Sequence, residues 1–111
     1  MSAQRPEATM RRTFAVIRTR GPAWQDGRPL ESQADWTGHA SFMNALAKEG
    51  FVVLGGPLDG TADVLLVVRA TTADEARARL AEDPWTRNGL LRIGRVAPWT
   101  LRLGSLDPER S

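Results

Sequence analysis

Trp36-Thr37-Gly38-His39-Ala40-Ser41-Phe42-Met43 continues through Leu46 to Gly50, and Phe51-Val52-Val53-Leu54-Gly55-Gly56-Pro57 follows at once. At about 100° per residue, Trp36, Ala40, Met43, Leu46 and Ala47 share one helical face. His39, the only histidine in the chain, lies near the middle of that face, with Phe42 at its edge. A titratable ring therefore points inward. Gly50 suits the left-handed position after a last helical turn, so the pattern predicts a helix that begins near residues 31–35 and stops there. A strand follows, ending in Gly55-Gly56-Pro57. Glycines inside a strand pattern mark a bulge or a place where a ligand or another backbone comes close.

Upstream, Thr13-Phe14-Ala15-Val16-Ile17-Arg18-Thr19 is β-branched and aromatic, with Phe14 and Val16 alternating against Ala15 and Ile17, which reads as a first strand over residues 12–20. Gly21-Pro22-Ala23-Trp24-Gln25-Asp26-Gly27-Arg28-Pro29 forbids regular structure but has Trp24 to bury, either as a plug at one end of the core or as a pocket wall. Downstream, Asp59-Gly60 between two apolar runs predicts a type I′ hairpin. The third strand, Val64-Leu65-Leu66-Val67-Val68, is apolar on successive residues, so both its faces are covered. Thr72-Ala73-Asp74-Glu75 is a capping box opening a second helix, with Ala73, Ala76 and Leu80 toward the sheet. Asp83-Pro84-Trp85-Thr86 reads as a fresh N-cap with proline at the first helical position, closed by Asn88-Gly89. A fourth strand is expected over residues 90–103, with Gly94 marking a bulge and Pro98 an edge position. Residues 1–11 read as a mobile leader, 12–103 as the folded domain and 104–111 as a polar tail.

The order β, α, β-hairpin, α, β is that of an α+β, ferredoxin-like βαββαβ fold, a four-stranded antiparallel sheet with two helices on one face. Its other face would be an apolar patch too large for a monomer. The expected remedy is a second sheet packed against it, hence a homodimer.

Composition limits the chemistry. At 111 residues the chain is one domain of globular composition. Without cysteine it has no disulfide, no thiol nucleophile and no thiolate metal ligand, which is compatible with a reducing cytoplasm. One histidine does not assemble a typical zinc site, so neither a metal nor a cofactor is expected. The net charge is only +2, and the fourteen arginines are scattered, so no phosphate-tracking stripe is written into the chain and no nucleic-acid partner is expected. Strand three also lacks aromatics on which bases could stack. No run of about 18 apolar residues is present, and a cytoplasmic protein with no membrane partner is the default expectation.

Three features together, the helix-borne His39, the Gly55-Gly56-Pro57 turn, and Asp83-Pro84-Trp85 followed by Gly89, resemble the YciI-like (YCII-related) family of dimeric α+β-barrel proteins over residues 13–103. In that family a histidine and the aspartate of an Asp-Pro-aromatic step are regarded as the active-site pair, which the resemblance maps onto His39 and Asp83. Relatives tend to carry a serine between strand one and the histidine, where this chain has the Gly21-Pro22-Ala23-Trp24 loop and, close before His39, Ser32. One relative is a dehydrochlorinase of a chlorinated hydroxyquinol, and the wider superfamily includes muconolactone isomerase. The resemblance thus implies proton-transfer chemistry on a small, aromatic or lactone-like molecule.

The chemistry is reasonable, because a buried imidazole held by a carboxylate can act as general acid or base. The structural alternatives are equally concrete: His39 as a satisfied core histidine, Asp83 as a helix cap, and Trp24, Trp36 and Trp85 as core rather than pocket walls beside Gly55, Gly56 and Pro57. Two readings remain. One is a cofactor-free lyase or isomerase using His39 and Asp83, and the other is a non-catalytic ligand-binding or scaffolding dimer.

Overall fold

The strand Arg12–Arg20 (β1) buries Phe14, Val16 and Arg18 and leaves the residues between them half-exposed, the period of two that a strand with one covered face requires. It lies inside a four-stranded antiparallel sheet of order β2-β3-β1-β4, with β2 at Val52–Pro57, β3 at Asp63–Ala70 and β4 at Leu91–Pro98. The computed structural model describes residues 10–106. The leader and tail expected at residues 1–11 and 104–111 fall largely on residues 1–9 and 107–111, outside the described residues.

Register sorts the two sheet faces. Phe14, Val16 and Arg18 of β1 stand opposite Val68, Leu66 and Val64 of β3, and this face packs with Leu46, Ala76 and Leu80 of the helices in the main core. The helices are Trp36–Lys48 (α1), Ala73–Leu80 (α2) and the single turn Pro84–Arg87 (α3), with a 3-10 turn at Leu30–Ser32. Among the described residues none is long and apolar enough to cross a membrane. The element order and strand order are those of a ferredoxin-like α+β fold, with the two expected helices and the short turn of helix expected after Asp83. Ala15 and Ile17 pair with Val67 and Leu65 on the uncovered face, where Ile17 and Leu65 are half-buried and Leu54 is 56% exposed.

Local chemistry sets the helix ends. Gly50 (φ 88°) follows α1, with its N–H on Ala47 O (3.1 Å) and the Phe51 N–H on Leu46 O (3.0 Å), the paired closure of a Schellman turn. At the other end Asp35 caps α1 from the left-handed region (φ 54°), its carboxylate accepting the Gly38 N–H at 3.1 Å. Aspartate tolerates that conformation better than most residues. Thr72 caps α2 by accepting the Glu75 N–H at 3.0 Å, but Glu75 reaches back to the N–H and hydroxyl of Thr71 rather than to Thr72.

Three expectations are corrected. The β2–β3 turn is not type I′: Gly60 has positive φ (80°) and Asp59 does not, and the connection is closed by Leu58 N–H to Asp63 O at 2.9 Å. The β2 bulge falls at Val53, between the Val52–Val68 and Leu54–Val67 pairs, not at the glycines. Finally, β4 ends at Pro98 rather than 103, its last bond to β1 being Trp99 N–H to Thr13 O at 2.8 Å, and on this edge strand the proline lacks only an N–H that would face outward. Its bulge does lie at Gly94-Arg95, opposite Ile17.

Removing the α2 cap isolates one term of this structure. Thr72→Ala should lower stability by about 1 kcal/mol in chemical denaturation, a typical cost for a lost N-cap, with the folded-state spectrum unchanged. An unchanged midpoint would mean that Glu75 and Thr71 hold the helix start without it.

Candidate functional site

Asp83 precedes a proline, which drives its backbone to extended angles (φ −60°, ψ 129°) and turns its side chain back over the start of α3. There Oδ1 accepts the Trp85 N–H at 2.9 Å, so Asp83 is the helix cap that its sequence position suggests. It is also 0% exposed and has two further partners. His39 Nδ1–H donates to both carboxylate oxygens at 2.9 Å, and Arg18 Nη1–H donates to Oδ2 at 2.7 Å. His39 and Asp83 are therefore in direct contact, with the two readings of Asp83, cap and histidine partner, both true at once.

Arg18 was not singled out by the sequence reading. Its signal was parity: it stands two residues beyond Val16 and four beyond Phe14, hence on the helix-covered face of β1. Only a paired arginine survives there, and it is 1% exposed.

Burial pushes the Asp83 carboxyl up, but hydrogen bonds from His39, the Trp85 N–H and Arg18, together with the charge of His39, outweigh it and hold the group below its ordinary value. Asp83 is thus a carboxylate, and a carboxylate can only accept. The proton between it and His39 belongs to Nδ1, so that whenever the ring is neutral Nε2 is its acceptor atom.

The ring is held flat. It stacks on Trp85 at 3.9 Å between centroids and 5° between planes, and Trp36 lies 5.9 Å from His39 and 5.8 Å from Trp85. Trp24 meets Trp85 edge-on at 5.7 Å, and Trp85 Nε1–H donates to Ala34 O at 2.6 Å. These three indoles and His39 border a pocket of about 300 Å³, whose opposite wall is the β2 edge. Gly55, Gly56 and Pro57 are part of that wall; Asp83 is not, since it lies behind His39. Gly55 has a packing reason to be glycine, because a Cβ there would fall 2.4 Å from Leu66 Cδ2. At Gly56 the space is open.

The Trp24 loop is sewn down rather than loose. Gly21 N–H bonds Leu90 O at 2.8 Å and Ala23 N–H bonds Gly89 O at 3.1 Å, an approach so close that a Cβ on Gly21 would sit 2.3 Å from Gly89 O. Buried Gln33, also missed from sequence, accepts the Gln25 N–H at 2.9 Å and donates to Gln25 O (2.9 Å) and Arg28 O (3.1 Å). Ser32 lies exposed in the 3-10 turn, outside the pocket wall.

The site has a pH signature. Asp83 binds its proton less readily in the folded chain than in the unfolded one, where an aspartate titrates near about 3.9, so its contribution is complete above that range and is lost as pH falls through the lower folded value. Glu75, held low first by the Thr71 N–H, has the same sign. Denaturation from pH 7 to 3 should show stability falling below about pH 4 to 5. Glu75→Gln should trim that loss, and Asp83→Asn should remove the larger part while lowering neutral stability by about 3–5 kcal/mol, because Arg18 is left without its counter-ion. A wild-type profile flat to pH 3 would contradict the assignment.

The sequence matches none of the curated proteins with which it was compared. The family model of the YCII-related domain matches residues 13–100, from the second residue of β1 to two residues past β4, a span that includes His39, Asp83, Arg18 and every indole around the pocket. The chain belongs to the YCII-related domain family.

Proposed function

We propose that this protein is a proton-transfer enzyme of the lyase or isomerase kind, with His39 as general base and acid and Asp83 as the group that orients and charges it. One observation carries the reading: an imidazole whose Nδ1 is fixed by a buried carboxylate stands at the wall of a pocket of small-molecule size. In the first step Nε2 takes a proton from a carbon of the substrate, and the imidazolium that forms is neutralised by Asp83. In an isomerisation the proton returns to another carbon. In an elimination the electron pair of the broken C–H bond expels the leaving group, which departs with a proton or as an anion. Trp24, Trp36 and Trp85 supply flat apolar walls suited to a ring-shaped substrate, and the open position at Gly56 leaves space at the β2 edge.

The second reading, a non-catalytic ligand-binding or scaffolding dimer, draws support from the His39–Trp85 stack and from the capping bond of Asp83, each of which has a structural use without turnover. Under both readings the protein acts as a cytoplasmic homodimer. The half-buried Ile17 and Leu65 and the exposed Leu54 on the uncovered sheet face support the dimer, and the cysteine-free sequence suits a reducing compartment.

Imidazole ¹⁵N–¹H NMR tests the general-base assignment before any substrate is known. Above neutral pH the His39 ring should carry its proton on Nδ1, and an Nε2–H tautomer would overturn the general-base assignment. A metabolite screen by thermal shift then supplies ligands, and His39→Asn should abolish turnover of any substrate found while the fold persists. Full activity in that variant would remove His39 as the base, and ligands that bind the wild type without being turned over would leave the binding reading.

For the assembly, light scattering at micromolar concentration should give twice the chain mass. Leu65→Arg, which places a charge on the uncovered face, should shift the protein toward monomer. A wild-type monomer would remove the dimer from the proposal.

A further inference from the structure

We propose that the pocket beside His39 selects planar organic anions, carboxylates above all, and that Arg18 and Arg20 of β1 recognise the negative end. This rests on reading the pocket as the ligand site of the protein. Arg18 borders the pocket, and its guanidinium is under-used for a group so deeply buried. Nη1 donates to Asp83, whereas Nη2 meets only Met43 Sδ at 3.6 Å, and a thioether is a weak acceptor. Nε is the one buried side-chain polar atom without a partner among the described residues. An arginine serving only as counter-ion to Asp83 would be expected to face it with two parallel N–H groups. Here a single nitrogen makes that contact, and the remaining donors await an acceptor.

Arg20 stands two residues along the same strand, hence on the same face, about 7 Å from Arg18. It also borders the pocket, with its guanidinium 4.5 Å over the ring of Trp24, and no acidic side chain among the described residues pairs with it. Asp63 contributes to the wall as well, but it pairs with Thr19 on the opposite face of the sheet, so alternation turns its carboxylate away from the two arginines. Two guanidinium charges thus stand against the one carboxylate of Asp83. A volume of about 300 Å³ between indole faces fits one or two fused rings. Aromatic walls beside fixed cations favour a flat molecule carrying a carboxylate over a neutral one of the same shape.

Calorimetric titration at pH 8 with 2-naphthoate and with 2-naphthamide tests this. The acid should bind at least tenfold more tightly than the amide. Arg20→Gln, an exposed change that leaves the buried triad intact, should weaken naphthoate several-fold and leave naphthamide unaffected. In the wild type, naphthoate and not naphthamide should shift the Arg18 Nε–H resonance. Equal or weaker binding of the acid, binding of neither probe, or full naphthoate affinity in Arg20→Gln would overturn the proposal. His39→Asn, assayed with a substrate found by the screen, distinguishes the failure of the two proposals: acid preference with turnover lost in the variant supports both, acid preference with full turnover in the variant sinks only the general-base reading, and a wild type without acid preference whose turnover the variant loses sinks only the anion proposal.

Discussion

The carboxylate of Asp83 is the joint at which β1, α1 and α3 meet. Removing a carboxylate from water costs several kcal/mol unless donors replace the water, and this one receives a guanidinium from the strand, an imidazole from the first helix and a backbone N–H from the short third helix. Each partner is drawn from a different element, so the charge is stable only when all three are in place. The stretch Asp83-Pro84-Trp85 sets this up, since the proline that makes Asp83 a cap also fixes the angle at which its side chain enters the core.

Trp85 extends the same constraint to the pocket. Its N–H is one of the three donors to Asp83, and its indole is the surface on which the His39 ring lies flat. The carboxylate fixes the edge of the imidazole and the indole fixes its plane, which leaves the ring no low-energy rotation. Trp36 and Trp24 continue the aromatic wall, and the second is held by a loop whose backbone bonds run to Gly89 and Leu90, next to α3. The apolar surround keeps competing water away from the ion pairs, which strengthens them relative to the same contacts in solvent.

Most of the fold was legible because period and punctuation carried it: the apolar stripe of α1, the Gly50 stop, the two N-caps at Thr72 and Asp83, and the doubly apolar β3 all fall where the sequence places them. What was misread depended on geometry that a linear pattern does not encode. The Asp59-Gly60 step fits a two-residue turn in isolation, yet the Leu58–Asp63 bond and the Thr61 hydroxyl close a longer connection. The glycines of β2 suggested a bulge, whereas Val53 holds it and Gly55 makes room for Leu66. His39 and Asp83 were found through resemblance and helix position. Arg18 escaped because a charged residue in a strand reads as solvated unless its parity is taken as seriously as that of its apolar neighbours. Gln33 escaped for a different reason: its three bonds go to loop backbone, which has no sequence signature.

Stability alone does not account for an arginine at position 18. A buried ion pair is commonly no better for stability than apolar side chains of the same volume, and sometimes worse by about 1–4 kcal/mol. The difference it makes lies in the ionisation of its partner. Burial by itself pushes Asp83 toward the neutral acid, and a neutral carboxyl would be free to donate its own proton to Nδ1 of His39. The ring would then carry its hydrogen on Nε2 and present a donor to the pocket. With Arg18 helping to keep Asp83 ionised, the proton stays on Nδ1, and the neutral form of the ring turns a lone pair rather than a donor to the pocket. The buried charge pair thus helps to set the polarity of the His39 ring at the pocket wall, and that polarity is what separates a base from an acid at this position.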